Sequence, residues 1–507
     1  MILPRLHGAF PTRRELPWLL AGVVIAVLWF SFNRSLPPLF RGDVCCDSTG
    51  YVKIAAQLPG VITTTETART NGFLGFLTHA FTYTGYTPPG FPLFLGITHT
   101  ITNALSLDLL VGWVTLSLFI GLILHVFAGL FFYRSLIRWG FPLHPAALFL
   151  LTAHPGLTSQ AAIPLADSLA ITLMMIGIGS LCRAVAPGKQ QLYWSFAAGV
   201  LLALTVFTRT SHLPAVIICI VGWLLLILPQ LRKKSAALLL PAACACAFAV
   251  ILSPRFVACS REAHTFCYSL PEEKTEHAAG LLREGLKSAR TYTVLAPDFG
   301  KLVSLTDPFL RQFSAICPID SSIPLQSFLS CSARHPALAF QFGVKKIIGL
   351  FDNFHLNSYA TYVTPTWVII WNRFFGVLGF VGFFSLLGFA LVVVREQKGF
   401  LQRLAPFLYP AAFAGYSSIL MVESRFGLPL APFGVAGATL LIPYIFRLSP
   451  WKKIVLLLAA LAAALFLIQV LIWDASDPLQ YVSIERALRS DQSPPHITMP
   501  LREVTGE

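Results

Sequence analysis

The chain has 507 residues, 55% of them apolar and only 12% charged, and apolar runs near 20 residues recur along its length. Such a composition excludes an ordinary soluble globular fold and points to a polytopic membrane protein. The formal net charge of +14 would suit a nucleic-acid binder, but the basic residues are spread through short loops between apolar runs. The positive-inside bias accounts for that distribution, so no nucleic-acid partner is expected.

Taken in order, the apolar runs place spans near 16–33, 108–133, 143–161, 166–183, 192–208, 212–230, 236–256, 370–394, 404–421, 427–446 and 453–473. The expected fold is therefore all-α, with about 11 transmembrane helices at roughly 20 residues per crossing and membrane-lying helices in long outer loops. The first span follows Arg5, Arg13 and Arg14 without an evident small-residue cleavage site, which predicts a retained helix. With the amino terminus inside, alternate loops carry Arg134 and Arg138, then Arg183 and Lys189, then Arg232, Lys233 and Lys234, then Arg395, Lys398 and Arg403, then Arg447, Lys452 and Lys453. Every short inside loop is basic, and the carboxyl terminus falls outside. Deleting span 143–161, which contains Pro145, His154 and Pro155, would reverse all later loops and break this pattern.

Four segments follow: a transmembrane module over 1–256 with a long first outer loop at 34–107, an outer segment over 257–369, further transmembrane helices over 370–473, and an outer tail over 474–507. In the first outer loop, Asp43 and Asp47 flank Cys45 and Cys46, and Tyr51, Ala55 and Leu58 recur at i, i+4 and i+7. Asp47 is thus placed to cap a short amphipathic helix on the bilayer surface; the bland reading is a cap with no chemistry. Further on, TPPGFPLFLGI reads as a turn leading into a half-buried helix. The segment 257–369 ends in HPALAFQFGVKKIIGLF, an amphipathic pattern that puts Lys345 and Lys346 on its polar side, suited to an anionic lipid surface.

Of the ten cysteines, Cys45, Cys46, Cys259, Cys267, Cys317 and Cys331 fall outside, while Cys182, Cys219, Cys244 and Cys246 fall in spans or at their ends. No CxxC spacing supports a zinc site, so disulfides are expected, with Cys259 pairing Cys267 and Cys317 pairing Cys331 across short loops.

Charge gathers at outer helix ends: Asp167 in IPLADSLAITL, Arg209 in TVFTRTSHLP, and Glu423 and Arg425 in MVESRFGLPLAPF. Each alone is accounted for as a cap or a snorkelling side chain. Together with Asp43 and Asp47 they would ring one outward-facing cavity. Four stretches resemble, in order, motifs of the GT-C superfamily of integral-membrane glycosyltransferases, particularly bacterial protein mannosyltransferases and aminoarabinose transferases. DSTGYVKIAAQL is similar to the family's first-loop Asp-x3-Tyr-x3-Ala-x2-Leu, and TPPGFPLFLGI to its Pro-Pro helix. ADSLAITL is similar to the acidic motif opening the fourth span, and ESRFGLPLAP to the late Glu-x-Arg motif.

The resemblance implies a glycosyltransferase of the bacterial inner membrane that takes a sugar from a polyprenyl-phosphate donor, on the periplasmic face, to a lipid, glycan or protein acceptor. Asp47 would be the first-loop acid and the first choice as catalytic base, with Asp167 second and Asp43 an extra carboxylate. Arg209 and Arg425, with Lys345 and Lys346, are the candidates for the donor phosphate; Tyr51, Tyr86, His212 and Glu423 are expected on the cavity wall. The aminoarabinose transferases carry an acidic and a basic residue before the Pro pair, where Tyr86 and Thr87 stand here, so a divalent metal ion remains an open expectation. A transporter or flippase is the rival class; it would show a repeat and broken helices, and the sequence displays neither.

Overall fold

The computed structural model describes residues 11–35, 50–55, 88–105, 112–186, 188–227, 238–265, 267–268, 290–294, 301–305, 316–317, 325–351, 366–395, 404–418 and 427–447. These form helices α1 (Leu16–Ser35), α2 (Gly90–Ala104), α3 (Trp113–Trp139), α4 (Ala146–Thr152), α5 (Pro155–Ala161), α6 (Ala166–Val185), α7 (Gln191–Thr208), α8 (Leu213–Ile227) and α9 (Leu239–Ala263). After them come a hairpin of strands β1 (Arg290–Val294) and β2 (Lys301–Leu305), then α10 (Leu325–Arg334), α11 (Pro336–Phe351), α12 (Thr366–Arg395), α13 (Ala405–Ser417) and α14 (Ala431–Arg447). Among the described residues the antiparallel hairpin, with Tyr292 opposite Val303, departs from the expected all-α fold.

Six helices among the described residues are long and apolar enough to cross a membrane: α1, α3, α6, α7, α9 and the run Thr210–Ile227 that contains α8. The protein is a multi-pass membrane protein, but this count falls short of the expected eleven. Part of the shortfall lies in shorter apolar stretches, Phe374–Ala390 and Leu428–Pro443. The 13-residue α13 stands where 404–421 was expected to span. Span 453–473 lies outside the described residues.

The most informative difference is at 143–161, where two seven-residue helices, α4 and α5, replace one. They nevertheless run alongside α1, and in the same direction. The Trp18 ring meets His144 at 5.8 Å, Gly22 packs on Phe149 and Thr152, the Trp29 indole donates to Ser159 Oγ at 2.7 Å, and Arg34 donates to the Ala162 carbonyl at 3.2 Å. Seventeen residues of α1, Trp18 to Arg34, therefore keep company with this segment, about 24 Å at 1.5 Å per step. The segment runs beside a helix long enough to span, with a break in it. At the break Pro155 lacks an amide hydrogen, and the His154 ring caps α5 by accepting from the Leu157 N–H at 3.4 Å.

The bundle has two chemically distinct ends. At one, Glu15 pairs with Arg134 at 2.5 Å, and the Arg183 guanidinium lies over Phe131 and Trp194 at 4.2 and 4.7 Å while donating to Ser135. The amino terminus of α9 joins this end, where Ser195 donates to the Leu240 carbonyl. At the other end lie the amino terminus of α6, the carboxyl terminus of α7 and the last turns of α9. Because α6 and α7 are antiparallel neighbours, Asp167 and Arg209 are both delivered to the end away from Arg134, Arg138 and Arg183.

Both expected disulfides are present, Cys259–Cys267 and Cys317–Cys331, while Cys182, Cys219, Cys244 and Cys246 are free thiols. Cys259 belongs to the far end of α9, opposite the basic loops. Peptide mapping under non-reducing conditions is expected to recover these two cross-linked pairs and alkylatable thiols at Cys182, Cys219, Cys244 and Cys246; Cys45 and Cys46 lie outside the described residues. Free thiols at 259, 267, 317 and 331 would contradict the structure.

In lipid there is no hydrophobic drive between helices, so close packing has to come from small residues. The α12–α14 seam is of that kind, with Gly379 and Gly382 against Gly434, Gly437 and Ala438. A Cβ on Gly382 would meet the Gly434 carbonyl and lie 2.5 Å from the Ala438 amide nitrogen, both backbone. Gly382→Val is expected to cost at least about 1–3 kcal/mol, since only a backbone shift makes room. Gly388→Val, which faces open space on the same helix, is expected to cost far less. Thermal unfolding of the two variants in detergent checks the contrast.

Candidate functional site

Asp167 sits in the first turn of α6 and is 2% exposed. It does not cap the helix, whose N-cap is Leu165 without a side-chain hydrogen bond. Instead Asp167 Oδ2 accepts from Arg209 Nη1 at 2.5 Å. Arg209 closes α7 in an extended conformation (φ −146, ψ 111) and also donates from Nε to Ser211 Oγ at 3.2 Å. The guanidinium is the more open partner, with 15% of its side chain exposed against 2%. Neither bland expectation, a cap for Asp167 or a snorkelling Arg209, describes this pair. It is a buried ion pair at two helix ends, where the amino-terminal dipole of α6 also favours a carboxylate.

The elements of the first outer loop pack against the same place. Helical residues 50–55 bring Tyr51 and Ala55 into an apolar cluster with Phe91 and Leu95 of α2 and with Leu165, Ala166 and Leu169 around the start of α6. The Tyr51 ring meets Phe91 edge to face at 5.3 Å. Gly90, first residue of α2, lies on Thr208 and Phe207 so closely that a Cβ would stand 2.7 Å from Thr208 Oγ1. The glycine of TPPGF is therefore a close-approach position that seats α2 beside Arg209.

The late motif arrives from another side. Gly427 abuts the Leu350 carbonyl of α11, and Leu428 covers Gly156 just after the break in the α4–α5 segment. Glu423 and Arg425 lie outside the described residues, as do Asp43, Asp47 and Tyr86; of Lys345 only the helical backbone is described.

Three expectations change. His212 is 1% exposed, with its Nδ1 2.5 Å from the Tyr409 hydroxyl and its ring tilted against Phe413 at 5.3 Å, so it belongs to the core and not to a cavity wall. Tyr51, at 6% exposure, is likewise a packing residue. Lys346 was expected on the polar side of its helix, but it shares the buried face of α11 with Phe342 and Leu350 and is 0% exposed. An amphipathic period gives two faces, and a lysine with a long apolar stem next to aromatics can belong to either. Burial pushes the Lys346 ammonium down to about 7.

The sequence reading missed Ser211, Tyr409 and Tyr416. The Tyr416 hydroxyl donates to the Ser211 carbonyl, next to the His212 contact of Tyr409. Their only trace in the sequence is two tyrosines seven residues apart in an apolar helix. Among the described residues no group of three or more His, Cys, Asp or Glu side chains could hold a metal ion.

No family model and no curated protein matches the sequence. Among solved structures, the fold is similar over most of its length to the archaeal oligosaccharyltransferase AglB from Archaeoglobus fulgidus. The form in complex with an inhibitory peptide and a dolichol-phosphate shares 15% identity at a TM-score of 0.44, covering 92% of this chain and 56% of that one. The apo form gives 14% and 0.46, covering 91% and 54%, and the form tethered to an acceptor peptide gives 17% and 0.47, covering 91% and 55%. The chain thus spans about half the length of those structures.

Proposed function

We propose that the protein is a GT-C-type glycosyltransferase that moves a sugar from a polyprenyl-phosphate donor to an acceptor at the end of the bundle away from the basic loops. The observation that carries this reading is the Asp167–Arg209 pair, a guanidinium held by a buried carboxylate at two helix ends and flanked by the first-loop helix and α2. In the reaction an acceptor hydroxyl oxygen attacks the anomeric carbon and the bond from that carbon to the phosphate oxygen breaks. Polyprenyl phosphate leaves with the electron pair, the acceptor proton passes to a carboxylate, and the anomeric centre inverts. A leaving phosphate asks for fixed cations more than for an acid. Arg209 supplies one, and Asp167, with an oxygen already committed to it, serves to aim it. That leaves Asp47 as the base, with Arg425 a second phosphate contact.

Orientation has two independent supports. The described basic residues Arg134, Arg138 and Arg183 sit at one end, as the positive-inside rule expects of a cytosolic side, and the Cys259–Cys267 bridge sits at the other, as an oxidising periplasm favours. On this proposal the protein lies in the bacterial inner membrane, with its amino terminus cytoplasmic and its carboxyl terminus periplasmic.

The broken α4–α5 segment is the one observation that favours a transporter, since broken helices often line a substrate path. Here, however, residues 151–172 around the break are buried, and the Thr158 hydroxyl returns a hydrogen bond to the His154 carbonyl at 2.9 Å. The break is packed and satisfied. The deciding experiment gives the purified protein a polyprenyl-phosphate sugar and follows release of polyprenyl phosphate with sugar transfer. Movement of intact donor across sealed vesicles without cleavage would establish the transporter reading instead.

A further inference from the structure

Arg209 stands alone between two rigid pieces, the end of α7 and the single turn Thr210–His212 that opens into α8. Its place is set by where that turn is held. The turn is held from α13: Tyr409 and Tyr416, seven residues apart and so on one helix face, put their hydroxyls on adjacent residues, His212 Nδ1 and the Ser211 carbonyl. Ser211 Oγ in turn accepts from Arg209 Nε. Between the two tyrosines on the same stripe lies Phe413, whose ring meets His212 at 5.3 Å in a tilted contact and has no hydroxyl. Apolar packing of α13 on the turn is therefore already provided by a phenylalanine. The tyrosines add two hydroxyls, that of Tyr409 buried and that of Tyr416 partly so, and a hydroxyl taken from water is retained at a cost unless it is bonded to a particular partner.

From this arrangement we infer that Tyr409 and Tyr416 are positioning residues that fix the Arg209 guanidinium for phosphate recognition, acting through Ser211 and His212 without touching substrate. The inference deepens the donor-site assignment proposed above and rests on it.

The test compares binding of two probes to the purified full chain in detergent, polyprenyl phosphate and the neutral polyprenol of equal length. Their affinity ratio isolates phosphate recognition from recognition of the lipid tail. Arg209→Ala is expected to shrink that ratio about tenfold or more, the worth of a charge-assisted contact. Tyr416→Phe and Tyr409→Phe are each expected to shrink it by about three- to tenfold, with polyprenol affinity unchanged and thermal midpoints near that of the parent. Phe413→Leu, which disturbs packing alone, should leave the ratio as it was. A parental ratio in Tyr416→Phe, or equal loss of both probes, would overturn the inference, and Tyr416→Phe decides alone if Tyr409→Phe does not fold. A parental ratio in Arg209→Ala would instead overturn the donor-site reading itself.

Discussion

Replacing Arg209 by alanine is expected to abolish measurable sugar transfer and to destabilise the protein by about 3 kcal/mol. That is the lower part of the range for breaking a buried pair, because the guanidinium keeps 15% exposure and water reaches it in part. The two losses have different causes and can be separated. Stability falls because Asp167, 2% exposed, loses the cation facing it; transfer falls because the departing phosphate loses its anchor. Adding Asp167→Asn to Arg209→Ala removes the buried charge, so the double variant is expected to regain stability and remain inactive. Arg209→Lys keeps the charge without the planar fork that reaches Asp167 and Ser211 together, and is expected to fold with transfer reduced. Unfolding midpoints in detergent and initial transfer rates, measured on all variants, check these outcomes. Normal transfer by Arg209→Ala would remove the pair from the mechanism.

The crossing helices with uninterrupted apolar runs were legible because length and hydropathy alone specify them. The break at His154 was not, although Pro145 and Pro155 were visible within it. A proline marks a place where the helix ladder can fail, but whether the chain turns back or continues depends on what lies alongside, here the full length of α1. The disulfides were legible from the compartment each cysteine falls in once the basic loops are assigned. Asp167 and Arg209 were legible as charges at helix ends, but not as partners. They are 42 residues apart in sequence, and only the antiparallel packing of α6 on α7 brings them within 2.5 Å. His212 and Lys346 misled for a shared reason. A polar residue beside a basic or apolar run reads as facing water or substrate, whereas both found aromatic surroundings in the interior. The tyrosine pair on α13 left only its seven-residue spacing as a sign, since its partners are a backbone carbonyl and a ring about 200 residues away in sequence.

Asp47→Asn is expected to lower sugar transfer by about 10²–10⁴ while leaving the amount of folded protein near that of the parent. The magnitude is that of general-base catalysis, and the asymmetry follows because asparagine is nearly as good a helix cap as aspartate but cannot take the acceptor proton. Asp47 lies outside the described residues, as does Leu58, yet two of the three other positions of its motif do not: Tyr51 and Ala55 are buried in one cluster with Leu165 and Ala166, the residues that lead into Asp167. A first-loop acid preceding that helix is thus attached to an element docked at the ion pair, which is what a base serving the same reaction centre requires. Asp43→Asn is the matched comparison, four residues earlier and outside the motif, and it is expected to transfer at close to the parental rate. Transfer from a polyprenyl-phosphate donor and the folded fraction in detergent are measured for both. If Asp43→Asn is inactive but folded while Asp47→Asn works, the base is Asp43; if both transfer normally, the proton goes elsewhere and the loop serves only to bind.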